Sequence, residues 1–86
     1  MMATLTDQAE AIANRSDLAD FMRALADDFR ANAGEWSYDD IYGYLEAMAA
    51  WVNDMDGYYK NLGKPIPDIP TWGTFGEILL AGSVYE

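Results

Sequence analysis

The groups in this 86-residue chain that could do chemistry are carboxylates, hydroxyls and a handful of cations, because it contains no histidine and no cysteine. Those two absences exclude a serine–histidine triad, a thiol nucleophile and an ordinary structural zinc site. No glycine-rich loop leads into a lysine in the arrangement that cradles phosphate, and Gly63-Lys64-Pro65 reads as a helix stop. Fifteen acidic residues face five basic ones, a net charge of −10. Nucleic acid and anionic lipid need clustered Lys and Arg, so neither is an expected partner. The charge suits either simple solubility or a basic protein.

Three groups of carboxylates merit weighing as sites. Asp17 and Asp20 stand three apart, the spacing with which all-helical nucleotide hydrolases hold magnesium. Those enzymes need a second pair on a neighbouring helix, and here Glu46 is isolated. Asn53, Asp54, Asp56 and Gly57 faintly follow a calcium loop. Val52 occupies the first ligand position, however, and Gly63 stands where a bidentate Glu belongs. Neither group amounts to a metal site, and no cofactor is expected. Asp56 falls at the border of an apolar seam. It is read as the partner of Lys60, four residues on in the favoured orientation, with a ligand contact beside Tyr59 as the alternative.

These residues are carried by helices. Thr6 or Asp7 could cap a weak first segment over about Thr6 to Asn14, whose one large apolar residue is Ile12, so residues 1–15 read as a short helix or weakly ordered leader. A second helix has Ser16 as N-cap, Asp17 in the first turn and Gly34 as its stop. Its Leu18, Phe21, Met22, Leu25 and Phe29 fill an arc of roughly 100°. Asp17, Asp20, Asp27 and Asp28 collect on one flank of that stripe, with Arg23 and Arg30 on the other side.

The third helix is expected to open at Ser37, with Asp40 at N3 and a Trp36–Ile41 staple, and to run to Asn61 before Gly63. Ile41, Leu45, Met48, Val52, Met55 and Tyr59 form a packing seam, and Tyr44, Trp51 and Tyr58 a second stripe beside it, together roughly 140° wide. If the last helix covers the aromatic stripe it is core, the favoured outcome. If not, it is an exposed patch of the kind that marks interfaces or self-association. The prolines of Lys64-Pro65-Ile66-Pro67-Asp68-Ile69-Pro70 forbid a helix and predict an extended strap that lays Ile66 and Ile69 on the bundle. A last helix over about Thr71 to Ser83 is capped by Thr71 or Thr74, with a Thr74–Glu77 box. Trp72 should close the core at the strap, and Gly73, Gly76 and Gly82 allow close helix contact.

From Asp17 onward the chain resembles a family of small bacterial proteins classed as a domain of unknown function. The resemblance rests on Trp36, on Leu45-Glu46-Ala47-Met48-Ala49-Ala50-Trp51, on Asp54-Met55-Asp56-Gly57-Tyr58-Tyr59, on Pro70-Thr71-Trp72 and on Val84-Tyr85-Glu86. It implies a stand-alone domain and carries over no catalytic residue.

The expected fold is all-α: one compact three-helix domain, residues 1–86, with a short extra N-terminal helix and a proline-rich strap before the last helix. With no signal peptide and no apolar run long enough to span a bilayer, the reading is a cytoplasmic protein. The expected function is non-catalytic binding of a basic protein, for instance as an immunity-like neutraliser. Candidate contacts are Asp17, Asp20, Asp27, Asp28, Tyr44, Trp51, Asp56 and Tyr58. The rival is a divalent-metal-dependent enzyme or small-ligand binder built on Asp17, Asp20 or Asp56.

Overall fold

A computed structural model describes residues 4–66 and 69–84 of the chain. They form α1 (Leu5–Glu10), α2 (Arg15–Asn32), a 3-10 turn (Ala33–Glu35), α3 (Ile41–Asn61) and α4 (Trp72–Gly82). Among the described residues there is no strand, so the all-α expectation holds. The Pro67-Asp68 part of the strap and the Tyr85-Glu86 end of the family pattern lie outside those residues.

Helix starts are set by side chains that satisfy the free N–H groups of a first turn. Thr4, not Thr6 or Asp7, caps α1: its Oγ1 accepts from Asp7 N–H at 3.1 Å, and the Asp7 carboxylate accepts in return from Thr4 N–H at 3.3 Å. From Thr4 onward the leader therefore forms a short capped helix. Ala9 and Ile12 are both in the core. Asn14, not Ser16, caps α2 through the Asp17 N–H at 2.9 Å. That helix stops at Asn32 rather than Gly34, and the following 3-10 turn swings Trp36 back onto it. There the Trp36 indole N–H donates to Asp28 at 2.8 Å, and its ring packs edge-on against Phe29 with centroids 5.1 Å apart.

That use of Trp36 removes the expected staple, and Ile41 stays 72% exposed. Asp40, not Ser37, caps α3, accepting from Gly43 N–H at 2.6 Å. The backbone N–H of Ser37 instead donates to the Ser83 carbonyl at 3.0 Å, tying the α3 entry to the end of α4. The C-terminus of α3 follows expectation. Gly63 takes φ 67°, and the N–H groups of Gly63 and Lys64 turn back to the carbonyls of Lys60 and Tyr59. This is a Schellman closure, which favours glycine because a Cβ strains the left-handed conformation.

The strap lays neither isoleucine firmly on the helices: Ile66 is still 38% exposed and Ile69 81%. Beyond it, Thr71 caps α4 in a reciprocal box with Thr74, which leaves Glu77 outside the cap it was expected to complete. Trp72 does not close the core either. It stands half out of the surface and leans on the equally exposed Phe75.

α4 is the hub. It packs on α1, α2 and α3, whereas α3 packs on α4 alone. A helix so apolar around its circumference is stable only when neighbours cover it. Two of its glycines make the approach possible. A Cβ on Gly76 would run into the end of Ile12, and one on Gly82 into Met48 and, at 3.0 Å, the Tyr44 ring. Under this helix Ala9, Ile12, Leu18, Phe21 and Leu25 form the main core, with Leu79 and Leu80 against it.

The α3 interface corrects the expected seam. Tyr44, Ala47, Trp51 and Tyr59 are covered, with the Tyr44 and Tyr59 hydroxyls bonded to α4, while Ile41, Leu45 and Val52 of the seam stay exposed beside them. The contact at Gly82 fixes the rotation. The Tyr44–Met48 side of α3 lies against the place where α4 lacks a side chain. The two larger rings also remove more apolar surface from water than Ile or Val would.

Candidate functional site

The aspartates of α2 are placed by the helix that carries them, and most are occupied locally. Asp17 accepts from the Ala13 N–H at 3.0 Å and so completes the cap of α2. Asp20 meets Arg23 at 3.3 Å and Asp27 meets Arg30 at 3.7 Å. The arginines therefore neutralise the aspartates across one turn, and the flank is not the one-sided acidic surface its helical projection suggests. Long Arg side chains reach around the helix to an i−3 partner, which a projection of Cα directions does not show. Asp28 holds the Trp36 indole and the Asn32 amide, the latter at 3.1 Å. It is a structural anchor.

Asp56 is exposed, and among the described residues it forms no ion pair with Lys60. One turn after Val52, it borders the uncovered side of α3. Among the described residues, no three acidic side chains converge as metal ligands would.

The aromatic stripe divides. Tyr44 is half-buried, and its hydroxyl donates to the Leu79 carbonyl at 2.6 Å. Burial pushes that hydroxyl up to about 12. Trp51 is 7% exposed and Tyr58 41%. The stripe is thus not a continuous exposed patch; its Tyr58 end is the part most open to solvent.

At that end α1, α3 and α4 leave a cleft of about 380 Å³. Trp51 and Tyr58 wall one side, with ring centroids 5.3 Å apart. Glu10 of α1, Glu77 of α4 and Lys64 after α3 also line it. Tyr59, packed edge-on to Tyr58 at 5.1 Å, donates its hydroxyl to Glu77 Oε2. The Tyr59 hydroxyl is pushed up by burial first, then by this hydrogen bond, then by the charge of Glu77 and by Tyr58. Tyr58 is raised by burial, then by the charges of Glu77 and Glu10.

Glu10, Lys64 and Glu77 are functional candidates that sequence reasoning missed, and Tyr59 had entered only as the neighbour of an Asp56 contact. One signal was available. Glu77 is the single charged residue of the otherwise apolar α4, and a lone carboxylate on a central helix needs a partner.

The second feature is the outer side of α3. Ile41, Tyr42, Leu45 and Val52 are exposed there, flanked by Asp39, Asp40, Glu46 and Asp56, with Lys60 at its end. Scattered exposed apolar side chains are ordinary, but a row of them along one uncovered helix is characteristic of interfaces.

The family model for the family of unknown function DUF7660 matches residues 14–86, and the chain belongs to that family. The match begins at the cap of α2, so α1 and the Glu10 wall of the cleft lie before it. No curated protein and no solved structure matches the chain. Among the described residues, no helix is long and apolar enough to cross a membrane.

Proposed function

We propose that the protein is a non-catalytic binding module that docks a basic protein on the outer side of α3. One observation carries this reading. Among the described residues α3 has a single helical neighbour, and outside that contact it exposes Ile41, Tyr42, Leu45 and Val52 between acidic side chains. Apolar centre and charged rim is the common anatomy of a protein interface, and burying such side chains drives association. The sign of the partner follows from the rim. Asp39, Asp40, Glu46 and Asp56 outnumber Lys60, and the whole chain carries −10. Such a field speeds encounter with a cationic surface and repels an anionic one.

The candidate contacts are revised accordingly. Asp56 remains one, Asp17 and Asp28 are occupied inside the fold, and Asp20 and Asp27 are paired with arginines.

The test is affinity capture from the native host with wild-type protein and with Leu45→Glu/Val52→Glu as bait, after circular dichroism has shown both folded. The expected result is a basic protein held by wild type, released as salt is raised, and lost from the double variant. A partner retained equally by both baits would place the interface elsewhere and end this reading.

A further inference from the structure

The cleft between α1, α3 and α4 is a different surface from the outer side of α3, and its walls combine two features seldom placed together by core packing alone. One is an aromatic pair: Trp51 and Tyr58 meet at an interplanar angle of 60°, with Tyr59 edge-on behind them. The other is a pair of carboxylates from separate helices, Glu10 and Glu77. Among the described residues neither carboxylate forms an ion pair with Lys64, the one cation of the lining. The Tyr59 hydroxyl occupies Oε2 of Glu77 and fixes the carboxylate in orientation, while Oε1 has no protein donor among the described residues.

We infer that this cleft is a binding site for an organic cation, an ammonium or guanidinium group seated against Trp51 and Tyr58 and neutralised by Glu77 and Glu10. Ring faces carry negative quadrupole charge and attract weakly hydrated cations within about 6 Å of the ring centre. A hard divalent ion is the wrong occupant, since it wants about six oxygens at close range and gains nothing from aromatic walls. A purely apolar ligand would cover the part-buried Glu77 without compensating its charge. The volume, about 380 Å³, lies at the small end of the range of ligand pockets and suits a single cationic group with a short stem. The Tyr58 hydroxyl is raised by burial first and then by the charges of Glu77 and Glu10, which places that ring in their negative field. The site stands whether or not α3 docks a protein.

The same chemistry is offered by a free small cation and by a Lys or Arg side chain of a polypeptide, and the experiment separates them. Full-length protein is titrated with choline, agmatine, a blocked arginine tripeptide and dimethylbutanol, the neutral isostere of choline. The indole N–H of Trp51 is followed by heteronuclear NMR, with Trp36 and Trp72 as internal controls. The expected result is a saturable Trp51 shift with the cations at a dissociation constant of about 1 mM or tighter, and none with dimethylbutanol. Preference for the tripeptide assigns a basic polypeptide; preference for choline or agmatine assigns a free small cation.

Glu77→Gln should weaken binding about tenfold. Because that change also touches Tyr59, Glu10→Gln, on the exposed α1 surface, provides a second reading and should weaken it several-fold. Equal shifts with dimethylbutanol, unmoved Trp51 with every cation, or undiminished affinity in both variants would each overturn the inference.

Discussion

α2 and α3 are both long, capped, amphipathic helices, yet they use their apolar residues in opposite ways. On α2 most of a narrow stripe is taken into the core: Leu18, Phe21 and Leu25 are buried, Met22 stays about half exposed, and Asp20 and Asp27 pair with arginines one turn on. On α3 the apolar arc is wider than one neighbour can cover, and the structure supplies only α4. Half of the arc is therefore core and half is surface. The difference shows that apolar periodicity measures how much surface a helix wants covered, not how many neighbours the fold provides. A surplus is where a binding function can reside.

Substitutions on the two helices turn that contrast into measurements. The largest effect belongs to the consumed stripe. Phe21 is 2% exposed, and Phe21→Ala should lower unfolding free energy by about 3–5 kcal/mol in denaturant titration. Leu45→Ala, on the uncovered side of α3, should cost far less. Comparable losses at the two sites would mean that α3 is covered after all.

The next largest tests what sets the rotation of α3. Gly82→Ala presses a methyl on Met48 and Tyr44 and should cost about 1–3 kcal/mol. Gly76→Ala should cost less, because it meets the terminal methyl of Ile12, which can turn away. A harmless Gly82→Ala would remove the account given for the choice of stripe.

A smaller effect is written in pH. The Tyr44 hydroxyl ordinarily loses its proton near 10.0 and is raised to about 12 in the fold. Between those values the folded state holds a proton that the unfolded state has released. The contribution is thus complete below pH 10.0 and is lost as pH rises towards 12. Tyr44→Phe should flatten the alkaline fall in stability followed by circular dichroism. At neutral pH it should cost about 1 kcal/mol for the lost hydrogen bond to Leu79.

The smallest effect is expected at Asp20. Its pair with Arg23 is fully in solvent, so Asp20→Asn should shift thermal unfolding by an amount near the error of the measurement. A clear loss there would restore a role to the acidic flank.

Much of the architecture was legible in the sequence because helices announce themselves through local rules. The α2 stripe, the Gly63 stop and the run of α3 to Asn61 all depend on neighbours within a turn or two. Cap positions slipped by a few residues because several candidates compete. Asn14 caps α2 in place of Ser16 while Asp17 turns back to Ala13, and Asp40 caps α3 in place of Ser37, whose backbone N–H is tied to the Ser83 carbonyl.

What could not be read locally was everything decided across distance. The inner stripe of α3 is chosen by a glycine 38 positions beyond Tyr44, the two residues meeting across the helix pair. The cleft draws Glu10, Trp51, Tyr58 and Glu77 from three helices, and no spacing along the chain links them. Of its walls, sequence reasoning had singled out Trp51 and Tyr58, which carry aromatic character by themselves, and had passed over the carboxylates.

The hub position of α4 also has a temporal meaning. The element that every other helix leans on is the last of the four to be synthesised, so α3 emerges with no surface to fold against. Until α4 arrives, its two aromatic and aliphatic sides are equally open to the wrong neighbour. The contacts of α1 and α2 with α4 join segments far apart along the chain, and so they close only after the intervening helix has been made.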